Sequence, residues 1–427
     1  MSVRVVHAQV VVGDEARAAL QIRALSPPPL EIEDEVRAIV RAVRDEGDLA
    51  LRELTVRFDG AQVPPERLRV SPDEIEQATA ALEPTLAESL RAAIANVGEV
   101  ARASLREPTK VALHDGQQVE IGEPAVRRAG AYVPGGRAPY ASTVVMCAVT
   151  ARAAGVDELA VCAPPGPHGE AHPVILGACG LCGVEEVYRM GGAQAIAALA
   201  FGTDLIPAVD VIVGPGNAWV QEAKRQVVGR VSIDGVAGPS ELVIAASAGA
   251  DPELAALDLL AQAEHGPASL LAFVSDDPGL LDDIERIVAT AAAGDGGEIR
   301  APSLALVRAP DAATAVRLAD LIAPEHLQLM GREAEAQAEA VRSAGALFVG
   351  RDAGTAFGDY IAGSNHVLPT GGAARHASAL SVATFRRRMA RVTFPAGSAA
   401  ALAPAGATIA RAEGFAVHAE SMERRSG

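Results

Sequence analysis

Short segments rich in β-branched residues alternate with Ala-rich segments from about residue 131 to residue 350, and this alternation constrains the fold most. Each short segment suits one strand, and most of the Ala-rich segments between them suit one helix. Because parallel strands need helical crossovers, the pattern predicts parallel sheets with helices on both faces. The number of candidate strands suggests two such sheets. The candidates are residues 158–162, 185–188, 209–213, 230–233, 242–245, 269–274, 304–307, 327–329 and 346–349.

The flanking regions have a different texture. The first thirty residues are strand-like and then irregular, and Pro27-Pro28-Pro29 marks the end of an N-terminal arm. Residues 31–57 begin with acids and repeat apolar residues at helical spacing, which predicts one helix. A second helix is expected after Ser71-Pro72-Asp73-Glu74, which resembles a capping box. The run 392–410, rich in Ala, Gly and Pro, predicts an extended connection, and residues 409–425 predict a final helix.

Three Gly-rich turns are expected at strand ends. They are Tyr132-Val133-Pro134-Gly135-Gly136, Gly191-Gly192-Ala193-Gln194 and Gly214-Pro215-Gly216-Asn217. Backbone N–H groups in a glycine turn at a helix N-terminus suit a pyrophosphate. The third turn lacks the third glycine of the dinucleotide fingerprint, so it identifies no cofactor alone. Together the three turns suggest a nucleotide cleft at the carboxyl edge of a sheet.

A short segment, residues 358–370, gathers Asp359, Ser364, Asn365 and His366. A loop gains little core stability from such residues, so their density suggests a functional site.

Four residues are candidate metal ligands. Gln262 and His265 are three residues apart near the end of a helix predicted over 251–265, so they share one face. With Asp359 and His418 they offer the open ligand set of a catalytic zinc site. The alternatives are a histidine that closes a helix, an aspartate that caps a turn and a histidine on a surface helix.

Glu325 and His326 are adjacent at a predicted helix–strand junction, just before the strand candidate 327–329. Adjacent side chains there point in different directions, so they could reach different atoms of one substrate. One could act as the base for a hydroxyl and the other as the base for water. A surface turn is the alternative interpretation.

Charge and composition exclude some partners. The net charge of −17 and an aromatic content of 3% argue against nucleic-acid binding, because phosphates would be repelled and stacking platforms are few. The longest uncharged run, 392–410, is too broken and too weakly apolar to cross a membrane. With no secretory signal at the N-terminus, the expectation is a soluble cytoplasmic protein.

Cys179 and Cys182 form the one C-x-x-C motif of the chain. A zinc ribbon would need a second pair, which the sequence lacks. We interpret the two cysteines as small residues on a packed helix face. The alternative is a thioredoxin-like redox motif.

Several long segments resemble histidinol dehydrogenases. They are YVPGGRAPY from residue 132, RMGGAQAIAALAFGT from 189, VGPGN from 213, IDGVAGPSE from 233, AQAEH from 261, APEHLQL from 323 and GDYIAGSNHVLPTGG from 358. The likeness runs from Glu33 to the final helix. It departs at Gly235-Val236, which replace the usual Met-Pro, at residues 374–378, and at the C-x-x-C motif.

The resemblance implies an α/β fold with two incomplete Rossmann-like, doubly wound domains. Residues 1–29 would be an N-terminal arm, and residues 131–240 an NAD-binding domain. Residues 30–130 and 241–380 would form a discontinuous domain that carries the zinc and substrate residues. Residues 381–427 would be a C-terminal helical segment that crosses to the partner subunit of a homodimer and completes a shared active site.

The resemblance also implies an activity and roles for residues. The family oxidises L-histidinol to L-histidine with two NAD, through a bound aldehyde. His326 would take the hydroxyl proton, and Glu325 would activate water. One zinc ion per subunit would be held by Gln262, His265, Asp359 and His418. The substrate would contact these four and Ser240, Glu325, His326, His366 and Glu413, and the dinucleotide would contact Tyr132, Gln194 and Asn217.

Two other functions stay open at this point. One is a related dehydrogenase that oxidises a sulfonated diol. That substrate has no imidazole or amine to bind, so the presence of Asp359, His366 and Glu413 argues against this function. The other is a metal-binding protein without turnover, with Cys179 and Cys182 as a thiol redox pair.

Overall fold

The computed structural model describes residues 3–27, 30–135, 138–292 and 302–425. Two parallel sheets and one small antiparallel sheet organise these residues. The strands are β1 (Arg4–Gln9), β2 (Thr109–Ala112), β3 (Gln118–Gly122), β4 (Arg128–Tyr132), β5 (Glu158–Ala163), β6 (Glu186–Arg189), β7 (Val211–Val213), β8 (Ser232–Ile233), β9 (Glu241–Ala246), β10 (Leu270–Ser275), β11 (Ser303–Arg308), β12 (His326–Met330), β13 (Ala346–Val349) and β14 (Met389–Thr393).

Helices separate most of these strands. The α-helices are α1 (Glu15–Arg23), α2 (Glu33–Glu46), α3 (Asp48–Asp59), α4 (Pro65–Leu68), α5 (Pro72–Ala80), α6 (Pro84–Ala103), α7 (Ala141–Ala154), α8 (Pro173–Leu181), α9 (Gly192–Phe201), α10 (Ala218–Val227), α11 (Pro252–Ala263), α12 (Pro278–Ala292), α13 (Ala312–Ile322), α14 (Arg332–Glu335), α15 (Thr355–Tyr360), α16 (Ser398–Ala412) and α17 (Ala416–Glu423). Short 3-10 helices cover Ala338–Ala340, Ala373–Arg375 and Val382–Phe385.

The five-stranded sheet is parallel and has the order β6-β5-β4-β7-β8. Its strand order reverses between β4 and β7. In a doubly wound sheet, ligands bind at such a switch point, outside the carboxyl ends of the strands. Tyr132 ends β4 and Gly214 follows β7, so two of the predicted Gly-rich turns meet there.

The six-stranded sheet is also parallel, with the order β1-β11-β10-β9-β12-β13. Each parallel sheet has apolar side chains on both faces. Alternate residues of β4 and β5 enter two different cores, and alternate residues of β9 do the same in the other sheet. The predicted architecture of parallel sheets covered by helices on both faces is therefore confirmed.

The N-terminal arm expected over residues 1–29 is wrong for the part that the structure describes. Strand β1 pairs in parallel with β11, and α1 packs against α13. Unpaired backbone groups at the edge of a sheet readily accept another strand, and β1 satisfies those of β11.

Residues 30–130 also pack differently from the expected domain division. Helices α2 and α3 share a core with α9, and α5 and α6 pack against α8 and α7. The apolar face of α2 buries Val36, Ile39, Val40 and Val43 against the Ala-rich α9. This segment therefore belongs with the five-stranded sheet and not with residues 241–380. The single helix expected over 31–57 is two helices, broken at Gly47, whose φ is +57°.

The C-terminal region differs from its prediction as well. Strand β14 pairs with β3, and residues 398–412 form α16 instead of an extended connection. Pro404 lies inside this helix, but the surrounding Ala residues have the highest helix propensity. Helices α16 and α17 pack on each other around Ala407, Ala410 and Ala419.

Within the residues described, no helix is long and apolar enough to cross a membrane. The cytoplasmic location expected from the sequence stays a prediction.

Candidate active site

A cleft of about 890 Å³ lies between the two parallel sheets. One wall comes from the carboxyl ends of β4 and β7, and the other from the residues at the amino ends of β9 and β12. Nine of the twelve predicted site residues line it: Tyr132, Gln194, Asn217, Ser240, His265, Glu325, His326, Asp359 and His366. Gln262, Glu413 and His418 are not among the lining residues.

The three predicted dinucleotide residues lie on one side of the cleft. The Tyr132 hydroxyl is buried and accepts a hydrogen bond from Gly192 N at 3.2 Å, and burial raises its pKa to about 12. Gln194 is buried in the first turn of α9. Asn217 caps α10 by accepting from Val220 N at 3.1 Å, so its Nδ2 is the donor it can offer a ligand.

The turn after β7 is held by a buried ion pair. Lys224 donates to Gly214 O at 2.9 Å and pairs with Asp234, whose Oδ2 accepts from Gly214 N at 2.7 Å. Gly214 has φ of +109°, and a Cβ there would lie 2.2 Å from Tyr132 O. Only glycine fits this position without a shift of the backbone.

Asp59 lines the same side of the cleft and was not predicted from the sequence. It ends α3 and accepts a hydrogen bond from Gln194 Nε2 at 3.2 Å. Burial raises the pKa of Asp59 to about 6, although the bond from Gln194 works against this rise. An aspartate before a glycine at a helix end is common, so the sequence carried no signal for this position.

Glu325 and His326 lie at the amino end of β12 and both are buried, so the surface-turn interpretation is wrong. His326 Nδ1 is 3.6 Å from Glu325 Oε2, and His326 Nε2 is 3.6 Å from Asp359 Oδ1. Burial disfavours the charged imidazole, but the two carboxylates outweigh burial and raise the pKa of His326 to about 10. The reverse balance applies to Asp359: burial opposes its charged form, and His326 still holds its pKa below the usual value.

Asp359 lies on α15 and not in the predicted loop. Its carbonyl oxygen accepts from His366 Nδ1 at 2.8 Å, which places the proton of a neutral His366 on Nδ1. His366 Nε2 lies 3.4 Å from the hydroxyl oxygen of Thr143. Burial lowers the pKa of His366, whereas the two carboxylates raise the pKa of His326.

Two of the four predicted metal ligands, His265 and Asp359, line the cleft. His265 follows the end of α11 and lines the cleft with Asp359, and Gln262 is buried on α11 with no hydrogen-bond partner at Nε2. Glu413 and His418 lie exposed at the hairpin of α16 and α17, where the His418 ring packs 5.2 Å from Phe415. In the described part of the chain, no three His, Cys, Asp or Glu side chains are grouped to hold a metal.

Comparison with known proteins decides the family. The histidinol dehydrogenase family model matches residues 28–426. The histidinol dehydrogenase of Parasynechococcus marenigrum (strain WH8102) is 43% identical over 400 residues, which cover 92% of this chain and 91% of that protein. That of Rhodospirillum rubrum is 44% identical over 409 residues, with 92% of each chain covered. The chain belongs to the histidinol dehydrogenase family.

A solved structure supports the same assignment. The crystal structure of histidinol dehydrogenase from Elizabethkingia anophelis matches with a TM-score of 0.90 and 29% identity, over 99% of this chain and 98% of that one. The resemblance found in the sequence is thus confirmed, as is the α/β fold class. Family membership makes the chain an NAD-dependent oxidoreductase and not a metal-binding protein without turnover.

The cysteines lie away from the cleft. Cys179 is buried in α8, and Cys182 directly after it is partly buried. Burial raises the pKa of Cys182 to about 12 and that of Cys179 further. Thiols of this kind are protonated at neutral pH and are poor nucleophiles, which favours the packing interpretation of the C-x-x-C motif.

Proposed function

We propose that this chain converts L-histidinol to L-histidine by two successive hydride transfers to NAD, with the aldehyde held in the cleft between them. Family membership supports histidinol oxidation in histidine biosynthesis. One observation carries the proposal for the site. A single cleft joins the turns bearing Tyr132, Gln194 and Asn217 to the buried cluster of Glu325, His326 and Asp359.

The residues present fit a divalent metal such as zinc. The Gln262 amide is buried and its Nε2 has no hydrogen-bond partner. A flip of this amide would put Oε1 in the same position, where it could bind a cation. His265 and Asp359 supply an imidazole nitrogen and a carboxylate oxygen, and His418 would be the fourth ligand. When bound, zinc would supply a Lewis acid that orients the imidazole and amine of the substrate.

His326 acts in the alcohol step in this proposal. Its Nδ1–H donates to Glu241 O at 3.2 Å, so Nε2 is the atom that takes the hydroxyl proton of the substrate. As that proton leaves, the carbon transfers a hydride to NAD, and the products are the aldehyde and NADH. A cation bound to Asp359 would partly neutralise its carboxylate. His326 would then release its proton more readily.

Glu325 acts in the aldehyde step. Its Oε2 is held by Glu241 N at 2.9 Å, which leaves Oε1 to take a proton from water. The resulting hydroxide adds to the aldehyde carbon, and the hydrate loses the second hydride to a second NAD. The two steps together consume one water and yield the carboxylate and two NADH.

We also propose that the enzyme is a homodimer with shared sites. Glu413 and His418 lie outside their own cleft, on a helical hairpin that exposes Ile409, Phe415 and Val417. An exposed apolar face of this kind suits contact with a second copy. In this arrangement each cleft receives His418 and Glu413 from its neighbour.

Mixing two inactive variants tests the shared site. His265→Asn and His418→Asn would be unfolded together in equal amounts and refolded. Half of the dimers are then mixed, and each mixed dimer has one intact site, so about a quarter of the wild-type activity should return. A mixture that stays inactive, with mixed dimers verified by distinct affinity tags, would refute the shared site.

A further inference from the structure

We propose that Arg23 and Glu241 form a positioning pair that holds Glu325 and His326 in their working geometry. Helix α1, near the N-terminus, thereby contributes a positioning residue, Arg23, to the site. The inference rests on the roles proposed above for Glu325 and His326, and it adds residues that contact neither the substrate nor the cofactor in those roles.

Glu241 contacts both of the proposed bases. Its backbone N–H donates to Glu325 Oε2 at 2.9 Å, and Glu325 N donates back to Glu241 Oε2 at 3.2 Å. The carbonyl oxygen of Glu241 accepts from His326 Nδ1 at 3.2 Å. One residue at the start of β9 therefore fixes the backbone and carboxylate of Glu325 and the orientation of the His326 ring.

The Glu241 carboxylate is almost fully buried, with its side chain 3% exposed. Its two oxygens accept from both terminal nitrogens of Arg23, from Glu325 N and from Gly371 N at 3.0 Å. Every partner of the carboxylate is a donor, so the site requires two acceptor oxygens. A buried carboxylate with this number of donors also needs a positive charge, and the fork of Arg23 provides it.

Arg23 also holds the turn that leads into the two bases. Its Nε donates to Ile322 O at 2.7 Å, and its Nη2 donates to Ala323 O at 2.9 Å. Ala323 has φ of +52°, in the left-handed region, where L-residues other than Asn and Asp are uncommon. Pro324 and Glu325 follow directly. The hydrogen bonds from Arg23 to the two preceding carbonyls therefore fix the backbone conformation just before Glu325.

The Arg23–Glu241 pair does more than hold α1 on the rest of the protein. A second ion pair, Arg317 with Glu15 at 3.2 Å, already joins α13 to α1. That pair has no bond to Glu241, Glu325 or His326 among its described contacts. Arg317→Gln is therefore a suitable control, because it breaks another ion pair that holds the same helix, α1, without touching the bases.

The test compares steady-state rates of Arg23→Gln, Glu241→Gln and Arg317→Gln with histidinol and with the aldehyde. Misplacing reacting groups by about 1 Å can cost about 100-fold in rate. We expect kcat to fall roughly 10- to 100-fold for both substrates in Arg23→Gln and Glu241→Gln, with KM for NAD within about threefold. Arg317→Gln should keep the wild-type kcat. Arg23→Lys keeps the charge without the fork, and it should recover part of the rate.

A double variant separates positioning from a general loss of structure. If Arg23 acts through His326, the losses in kcat of Arg23→Gln and His326→Asn should not multiply in the combined variant. Multiplying losses, or equal effects of Arg23→Gln and Arg317→Gln, would overturn the proposal. Should Glu241→Gln fail to fold, Arg23→Gln and Arg23→Lys still decide the question.

The same measurements distinguish this inference from the roles on which it rests. Wild-type rates in Glu325→Gln and His326→Asn would remove the proposed roles of the bases, and the positioning pair with them. Large losses in those two variants, with unchanged rates in Arg23→Gln and Glu241→Gln, would overturn the positioning pair alone.

Discussion

Nε2 of His326 lies 3.6 Å from Oδ1 of Asp359, which joins the amino end of β12 to the last turn of α15. The other ring nitrogen of His326 faces Glu325, again at 3.6 Å. An imidazole between two carboxylates can exchange a proton on either side. Both carboxylates line the cleft, and that of Glu325 also accepts a hydrogen bond from Glu241 N.

The first prediction separates the two proposed bases. Glu325→Gln should slow oxidation of the aldehyde about 10²- to 10⁴-fold and slow oxidation of the alcohol much less, because only the aldehyde step needs activated water. His326→Asn should slow the alcohol step. Supplying the aldehyde directly isolates the second step. Equal losses on both substrates in Glu325→Gln would contradict the assignment.

The second prediction concerns the metal. The purified protein should carry about one zinc per subunit, because the four proposed ligands complete one tetrahedral set. Gln262→Met should reduce the zinc content measured by atomic emission. Gln221→Met is the matched control, since Gln221 is also buried with an unpartnered Nε2 but lies on α10. Equal zinc content in both variants would rule out Gln262 as a ligand.

The third prediction uses the raised pKa of Asp59, about 6 against an ordinary value of 3.8. The folded state binds this proton more tightly than the unfolded state, so the contribution of Asp59 to stability falls as pH rises from about 4 to about 6. Asp59→Asn removes this dependence. Without NAD, the variant should melt close to the wild type at pH 4 and at a higher temperature than the wild type at pH 8. The same difference at both pH values would argue against the raised pKa.

The fourth prediction concerns the thiols. Cys179→Ser should destabilise the fold by about 1–3 kcal/mol, because it buries a hydroxyl among apolar side chains. Cys182→Ser should cost less, since Cys182 is partly exposed. The double variant should keep kcat within a few-fold of the wild type. Loss of activity in a double variant that still folds at the assay temperature would restore a redox role.

Much of the α/β architecture could be predicted from the sequence because its signals are local. The runs that became β9, β10 and β12 are short and mostly apolar, and Ser71 and Glu74 form the predicted capping box. Strand β4 was missed, because its sequence RAGAY has little β propensity and depends on its neighbours for stability. The strand-like start of the chain was recognised, but the place of β1 in the six-stranded sheet and helix α1 were missed, because their partners lie about 300 residues away.

The same contrast between local signals and distant contacts applies to the residues of the site. Glu325, His326 and Asp359 were found from unusual local combinations of residues, and the structure brings them together. Asp59 and Glu241 look ordinary in sequence. Their importance comes from contacts 135 and 84 residues away, with Gln194 and Glu325. Positions that act through distant contacts leave no local pattern to read.

The number of NADH molecules formed per histidinol tests the proposed four-electron oxidation most directly. A limiting, known amount of L-histidinol would be incubated with excess NAD and the enzyme, and absorbance at 340 nm would be followed to completion. Two successive hydride transfers should give two NADH for each histidinol, with histidine as the product and no free aldehyde at any time. One NADH with accumulated aldehyde, or none while a sulfonated diol is oxidised, would contradict it.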